Sequence, residues 1–406
     1  MKSPSVSPGR NSCWRPGRAF SLYVHLPFCR SRCAYCAFVS SVSEPLPERA
    51  YLEAVLRQYR LELPSWRGRP LTTIYFGGGT PSLLPPRFYQ SLLAVLAGDF
   101  NLEAVTEVTL EANPATLTTA GIRDFLALGI NRFSLGVQTF ADAGLRLLGR
   151  RHTAADSRET VARLRRGGVS NLSLDLIYAY PGQTPAGLRA DLEAVTALEP
   201  EHISAYCLSL EPGTPLARRV ERGEITALSP EKQALFMTEV IAGLTAKGYE
   251  HYEVANFARP GYQAHHNLAY WQLRDYWGLG AGAWSSRRLG TDRQRWACRQ
   301  VWENDVGRYL RRFGPGDPRP LPPPAVVDLI PFESSLAERF IMGLRLRRGI
   351  DLDVVAAEYG RQPVADLLER LADFLAAGLL ARRGTFLRLT DRGLLLADEI
   401  ALHLLP

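Results

Sequence analysis

Lysine is almost missing from these 406 residues. Only Lys2, Lys232 and Lys247 occur, so the net charge of +7 is carried by arginine. Four of the excess positive charges, Lys2, Arg10, Arg15 and Arg18, lie in an N-terminal stretch without a single acidic residue. The remainder is only mildly basic and offers no concentrated surface for neutralising phosphates, so nucleic acid is not expected as a partner. No apolar run approaches the ~18 residues that a membrane span requires, and residues 1–18 lack the apolar core of a secretory signal, so an integral membrane or exported protein is not expected either. With 46% hydrophobic and 22% charged residues the chain reads as a globular cytoplasmic protein. Residues 1–18, rich in Ser, Pro, Gly and Arg, read as a disordered tail. Cysteine is scarce too, at six, yet three of the six fall within eight positions.

Those three stand in Tyr23-Val24-His25-Leu26-Pro27-Phe28-Cys29-Arg30-Ser31-Arg32-Cys33-Ala34-Tyr35-Cys36-Ala37-Phe38, directly after an apolar run, 20–26, that reads as a strand. The spacing is Cys-x3-Cys-x2-Cys. Three thiolates on one short loop can hold three corners of a [4Fe–4S] cube, which takes four ligands when fully coordinated, so one iron would stay open. The competing reading is a Cys3His zinc site completed by His25, although His25 sits inside the strand before the loop. Disulfides fit poorly, because three clustered cysteines cannot all pair among themselves and nothing marks the chain as secreted. Cys13, Cys207 and Cys298 are expected to be dispensable.

After this loop the pattern alternates. Helical spacing at 47–63, 86–97, 118–128, 153–166 and 185–197 is interleaved with strands at 71–76, 105–110, 132–137, 171–177 and 202–208, the arrangement of a parallel sheet. In such folds ligands gather at the carboxyl ends of the strands. Gly77-Gly78-Gly79-Thr80 follows the second strand, where glycines let backbone groups approach a ligand closely or simply make a tight turn. Glu111, Gln138 and Asp175 lie in or beside the next three strands. A polar group there needs a partner to offset desolvation, and a ligand's hydroxyls or ammonium would serve. Gly278-x-Gly280-x-x-Ala283 superficially matches a dinucleotide fingerprint, but no strand is expected before it and no long helix after it.

Residues 249–256 alternate like one more strand, followed by His266-Asn267-x-x-Tyr270-Trp271, whose histidine and aromatics could form a flat slot for a macrocycle with an axial iron ligand or simply pack the barrel mouth. Residues 313–331 contain seven prolines and two glycines and read as a linker. Beyond it, helical segments at 332–344, 351–359 and 364–377, a hairpin at 379–389 and a helix at 390–404 suggest a winged-helix-like domain over 332–406. That domain has ten Arg against eleven Asp plus Glu, net −1, which favours a lid or docking role over DNA binding.

The cysteine spacing, with Tyr35 before the last cysteine, resembles the radical S-adenosylmethionine (SAM) family. The flanking residues 23–28 resemble its HemN/HemW branch, which contains oxygen-independent coproporphyrinogen III oxidases and heme chaperones. The resemblance covers most of residues 20–400. It implies an incomplete (βα)6 barrel over 19–312, a smaller C-terminal domain, a cluster on Cys29, Cys33 and Cys36, and SAM chelating the open iron, where an electron from the cluster cleaves it. It also implies contacts to that SAM from Tyr23, Tyr35, Gly78, Gly79, Thr80 and Glu111, and matches Gln138, Arg150 and Asp175 to a second SAM. His266-Asn267-x-x-Tyr270-Trp271 resembles the heme-chaperone side of the branch, making His266 and Trp271 candidate heme contacts and an unidentified heme-acceptor protein the expected partner. Two departures from the oxidases point the same way: Phe38 stands where they carry a fourth cysteine, and the chain before Tyr23 is short for their N-terminal arm. A third departure is Trp284, where the family commonly has His. The expected function is therefore binding heme and handing it on, with coproporphyrinogen III decarboxylation as the alternative.

Overall fold

A computed structural model describes residues 18–290, 292–314, 324 and 326–405. The expected N-terminal tail, apart from Arg18, and most of the expected proline-rich linker lie outside the described residues.

Six strands, β1 (Phe20–Leu26), β2 (Leu71–Gly78), β3 (Glu107–Ala112), β4 (Arg132–Gln138), β5 (Leu172–Tyr178) and β6 (His202–Cys207), form where β-branched, aromatic and leucine residues alternate with polar ones. Each pairs in parallel with the next. Three of the helices between them start where a threonine caps the first turn. Thr118 and Thr184 each accept a backbone N–H from three residues on, and Thr153 forms a reciprocal capping box with Asp156.

The sheet is larger than the alternation suggests. Residues 249–256 do not make a single strand: the chain turns back on itself to give β7 (Glu250–Glu253) and β8 (Asn256–Ala258), with β8 antiparallel to both β7 and β6. On the other side, β9 (Asp275–Leu279) pairs in parallel with β1, and β10 (Trp284–Arg288), β11 (Ala297–Val301) and β12 (Val326–Ile330) continue as an antiparallel meander. The twelve strands run β12-β11-β10-β9-β1-β2-β3-β4-β5-β6-β8-β7, an open barrel with seven parallel strands at its centre. Two expectations change here. Gly278 lies within a strand, and residues 326–330, assigned to the linker by composition, belong to the sheet.

Residue alternation then decides what the barrel holds. Phe133, Leu135 and Val137 of β4 and Leu172, Leu174 and Leu176 of β5 join the main core beneath the surrounding helices. Their neighbours Arg132, Ser134 and Gln138, and Asp175, face the barrel cavity instead. Parallel strands covered on both faces are usually apolar throughout, so a polar inner row marks a lumen built to hold something other than side chains.

The C-terminal domain has its own core, including Phe340, Val355, Leu371, Leu387 and Leu404. Around it pack the helix Phe332–Leu344, later shorter helices and a small sheet of β13 (Ile350–Asp351), β14 (Leu380–Arg383) and β15 (Phe386–Leu389) in the order β13-β15-β14. The helix expected over 364–377 bends at Leu371, which is fully buried in this core. Met237 and Ile241 touch both cores and join the domains.

Candidate functional site

Pro27 ends β1, and the chain leaves the sheet as the loop that carries the cysteines. The loop base is pinned by paired backbone bonds, Cys29 N–H to Ser41 O at 3.0 Å and Ser41 N–H to Pro27 O at 2.7 Å. Its far side is tied down by Ala34 N–H to Leu148 O at 3.0 Å and Leu216 N–H to Ala34 O at 2.8 Å. Cys29, Cys33 and Cys36 are free thiols and face one cavity of about 570 Å3, within the ~300–1,000 Å3 usual for ligand pockets. Among the described residues, no three His, Cys, Asp or Glu side chains gather tightly enough for a single metal ion. His25 is not available as a zinc ligand, because Nε2 bonds Val39 O at 2.8 Å and Nδ1 bonds the Tyr23 hydroxyl at 3.0 Å. A [4Fe–4S] cube is gripped at its corners, so its thiolates stand farther apart than the ligands of one ion. The three free thiols on one loop fit it.

Donors already point at these sulfurs. Arg150 Nη1 is 3.5 Å from Cys33 Sγ, and Thr80 Oγ1 is 3.9 Å from Cys29 Sγ. Arg150 Nη2 also donates to Gly136 O at 2.7 Å and to Asn113 Oδ1, while Asn113 Nδ2 donates to Thr80 Oγ1 at 2.7 Å. One network therefore links β3, β4 and the glycine loop to two of the three cysteines. Burial pushes the Cys29 thiol up to about 11, partly opposed by its bond from Thr80, so without metal it is protonated, and coordination to iron would reverse this.

The glycine loop is held against the cysteine loop by Gly79 N–H to Leu26 O at 2.9 Å and Thr80 N–H to Phe28 O at 2.8 Å. A Cβ on Gly79 would lie 2.7 Å from Phe28 O, and one on Gly78, whose φ is +115°, would lie 2.5 Å from the His25 ring. Both positions demand glycine. On the cavity wall, Glu111 accepts the Tyr75 hydroxyl at 2.8 Å and the Gly78 N–H at 3.0 Å. Asp175 accepts Ser134 Oγ at 3.0 and 3.1 Å and Ser173 Oγ at 3.3 Å. The outer side of each carboxyl faces the cavity, but both lie deep within the barrel, and that desolvation pushes Glu111 up to about 7 and Asp175 up to about 6. Gln138 ends β4 with φ +71°, a left-handed conformation that a side chain adopts only under constraint.

The cavity thus brings together Cys29, Cys33, Cys36, Tyr35, Gly78, Gly79, Thr80, Glu111, Gln138, Arg150 and Asp175. It does not bring in three residues expected there. Tyr23 lies behind the wall, stacked on Tyr75 with ring centroids 6.0 Å apart. His266 sits deeper in the barrel with both nitrogens engaged. Thr73 Oγ1 donates to Ser21 Oγ at 2.8 Å, so it accepts from His266 Nδ1–H at 2.9 Å, which leaves Nε2 to accept the Tyr270 hydroxyl at 3.0 Å. Burial lowers His266 to about 3 and keeps it neutral. The preceding turn is fixed by Glu107, whose oxygens accept the His265 and His266 backbone N–H groups at 2.8 and 3.0 Å. Trp271 points toward the C-terminal domain, with the Arg345 guanidinium 5.8 Å from its ring. The flat slot expected from His266-Asn267-x-x-Tyr270-Trp271 is instead a short helix, His265–Trp271, in which the i, i+4 pair His266 and Tyr270 bond each other. Of that motif, only Asn267 lines the cavity. Trp284 is exposed on β10.

Sequence reasoning missed Asn113, Arg132, Ser134 and Tyr206, all on the cavity wall. The signal was present as the period-2 polar row Arg132-x-Ser134-x-Gly136-x-Gln138 inside a strand of a parallel sheet.

The family model of the Radical SAM superfamily matches residues 23–195, and that of the HemN C-terminal domain matches residues 333–396. The heme chaperone HemW of Lactococcus lactis is 33% identical over 94% of this chain and 96% of its own length. HemW of Mycobacterium tuberculosis is 35% identical over 96% of both chains. The mitochondrial radical S-adenosyl methionine domain-containing protein 1 of Danio rerio is 33% identical over 94% of this chain and 85% of its own. Among solved structures, coproporphyrinogen III oxidase (HemN) from Escherichia coli superposes with a TM-score of 0.79 at 24% identity, covering 96% of this chain and 91% of that one, which establishes the shared fold. With curated relatives matched at these identities over nearly their whole length, the chain belongs to the radical SAM superfamily and, within it, to the HemW family.

Proposed function

We propose that this protein is a heme chaperone of the HemW type, which carries a [4Fe–4S] cluster and SAM, binds heme and passes it to an acceptor protein. The observation that carries the reading is the joint one: HemW relatives align along almost the entire chain, and one cavity holds three free thiols, a glycine loop in contact with their loop, and two carboxyls. The bound cluster and SAM supply one-electron chemistry at the iron that the chain leaves open. The chain's own part is to hold and orient. Cys29, Cys33 and Cys36 fix the cluster, and Arg150 and Thr80 donate toward its sulfur ligands. Glu111, when ionised, receives the ammonium of SAM, and Asp175 and Gln138 receive hydroxyl or amide groups farther along the wall. For heme, the rim offers what the inner barrel does not: Phe38, 67% exposed, and Tyr206, 44% exposed, present open aromatic faces at the cavity edge. Among the described residues no helix is long and apolar enough to cross a membrane. A reducing compartment such as the cytoplasm suits the free thiols.

Coproporphyrinogen III decarboxylation is the second reading, and the fold shared with HemN alone does not favour it over the first. Phe38, in place of the oxidases' fourth cysteine, weighs against it. Anaerobic reconstitution followed by two assays separates them. Stoichiometric heme binding without conversion of coproporphyrinogen III supports the chaperone, whereas SAM-consuming conversion at enzymatic turnover overturns it.

A further inference from the structure

Arg132 is the first residue of β4, only 2% exposed, and its side chain reaches the deep part of the cavity. A buried guanidinium is ordinarily paired, since stripping it of water is unfavourable unless its N–H groups find acceptors. The chain follows that rule elsewhere: buried Arg69 donates to Asp275 at 2.5 Å and to Arg18 O at 2.8 Å. Arg132 does not follow it. Its Nε has no hydrogen-bond partner, and among the described residues the guanidinium makes no hydrogen bond or ion pair. The carboxylates that feel its charge, Glu111 and Asp175, are bonded to other donors: Tyr75 and Gly78 for the first, Ser134 and Ser173 for the second.

We propose that Arg132 is the anion anchor of this cavity and receives a carboxylate of the ligand that enters the barrel. The inference rests on the reading of the cavity as the ligand site. A planar fork of N–H donors matches a carboxylate in two-point geometry, and a desolvated, otherwise unsatisfied fork makes that contact strong. Charge selects the class of anion. Glu111 and Asp175 stand on the same wall, so a dianionic phosphate would be repelled, whereas a single carboxylate balances the one cation. A ligand that also carries ammonium or hydroxyl groups would satisfy those two acids as well. Two molecules fit this chemistry, heme through a propionate and a second SAM, distinct from the one that chelates the iron, through its amino-acid carboxylate.

The test is carried out on the anaerobically reconstituted full-length protein and on Arg132→Met, which keeps the length of the side chain without its charge. Heme is compared with heme dimethyl ester, and SAM with decarboxylated SAM. The expected result is a loss of about ten- to a hundredfold in affinity for the free carboxylate form on Arg132→Met, with the carboxylate-free form bound equally by both proteins. Seen with heme, this assigns a propionate; seen with SAM, the amino-acid carboxylate. If native protein binds no heme, the chaperone reading fails while the SAM arm still decides the role of Arg132. Equal affinities for all four ligands in both proteins would overturn the proposal. A second readout guards against a merely structural role: ligand-free Arg132→Met should melt no lower than native, because an unpaired buried charge has been removed. A clear drop in melting temperature in that variant would mean that Arg132 is held by internal contacts and would also overturn the proposal. If Arg132→Met does not fold, that result counts against the proposal, and Arg132→Lys, keeping charge without the fork, must then show the same selective loss to restore it.

Discussion

The two ends of the barrel lumen are both lined with polar side chains, yet they are in opposite states. At the deep end His266, Thr73, Ser21, Tyr270 and Glu107 bond to one another and to the backbone of the first turn of the helix His265–Trp271. At the cysteine end, thiols, the outer sides of Glu111 and Asp175, and the rim aromatics face open space. A histidine beside two aromatics looks like a ligand site in sequence, and a lone arginine opening a strand does not. The structure reverses the ranking. Spare hydrogen-bonding capacity, not polarity or aromatic content, separates a binding wall from a polar floor.

The largest effect expected is at the cysteine end. Replacing Cys29, Cys33 or Cys36 by Ala should take the iron content of reconstituted protein from about four per chain to near zero, because two thiolates cannot retain a cluster that has only three. Cys207→Ala and Cys298→Ala should leave it intact. Iron retained in any of the three loop variants would break the comparison at its strongest point.

That much was legible, because three cysteines in eight positions and a strand before them are local features. The first six strands were legible for the same reason, with shifts of a few residues. Strand β3 begins at Glu107 and not 105 because Asn101 caps a 3-10 turn, Leu102–Ala104, that takes up the preceding residues. Strand β9 was hidden: its five residues include a glycine, and its partner β1 lies some 250 positions earlier, so nothing local announces the pairing. The state of His266 was hidden too, since Thr73 and Glu107, which fix it, come from distant strands.

Next in size is Gly79→Val. Its side chain would meet the Phe28 and Pro27 backbone, so both loops must move, and cluster and SAM should be lost together, read as iron content and equilibrium SAM binding. Cluster kept with SAM lost would mean that the glycine loop serves the ligand alone.

Glu111→Gln should leave the cluster in place and weaken SAM about ten- to a hundredfold, because it removes a charged acceptor for the ammonium. The raised value of about 7 gives the pH sense. Ionising a carboxyl held above its ordinary range opposes folding, so its contribution to ligand-free stability is present at low pH and lost as pH rises through about 7. SAM affinity should move the other way, rising between about pH 6 and 8 as the carboxylate forms, and this slope should vanish in Glu111→Gln. A slope that persists in the variant would assign the titration to another group.

The smallest binding effect belongs to the deep end. Thr73→Val strips His266 Nδ1–H of its acceptor and should cost about 1–3 kcal/mol in denaturant unfolding while SAM and heme affinities stay unchanged. Loss of ligand affinity without loss of stability would make this floor part of the site.

Heme titration of native protein, Tyr206→Ala and His266→Ala, reconstituted side by side, tests the contrast most directly. Native protein should bind heme tightly, Tyr206→Ala should lose affinity severalfold because a stacking face is removed, and His266→Ala should keep native affinity despite its lower melting temperature. Heme affinity that collapses in His266→Ala and survives in Tyr206→Ala would show that the deep network opens to take heme, and would contradict the division between a binding wall and a closed floor.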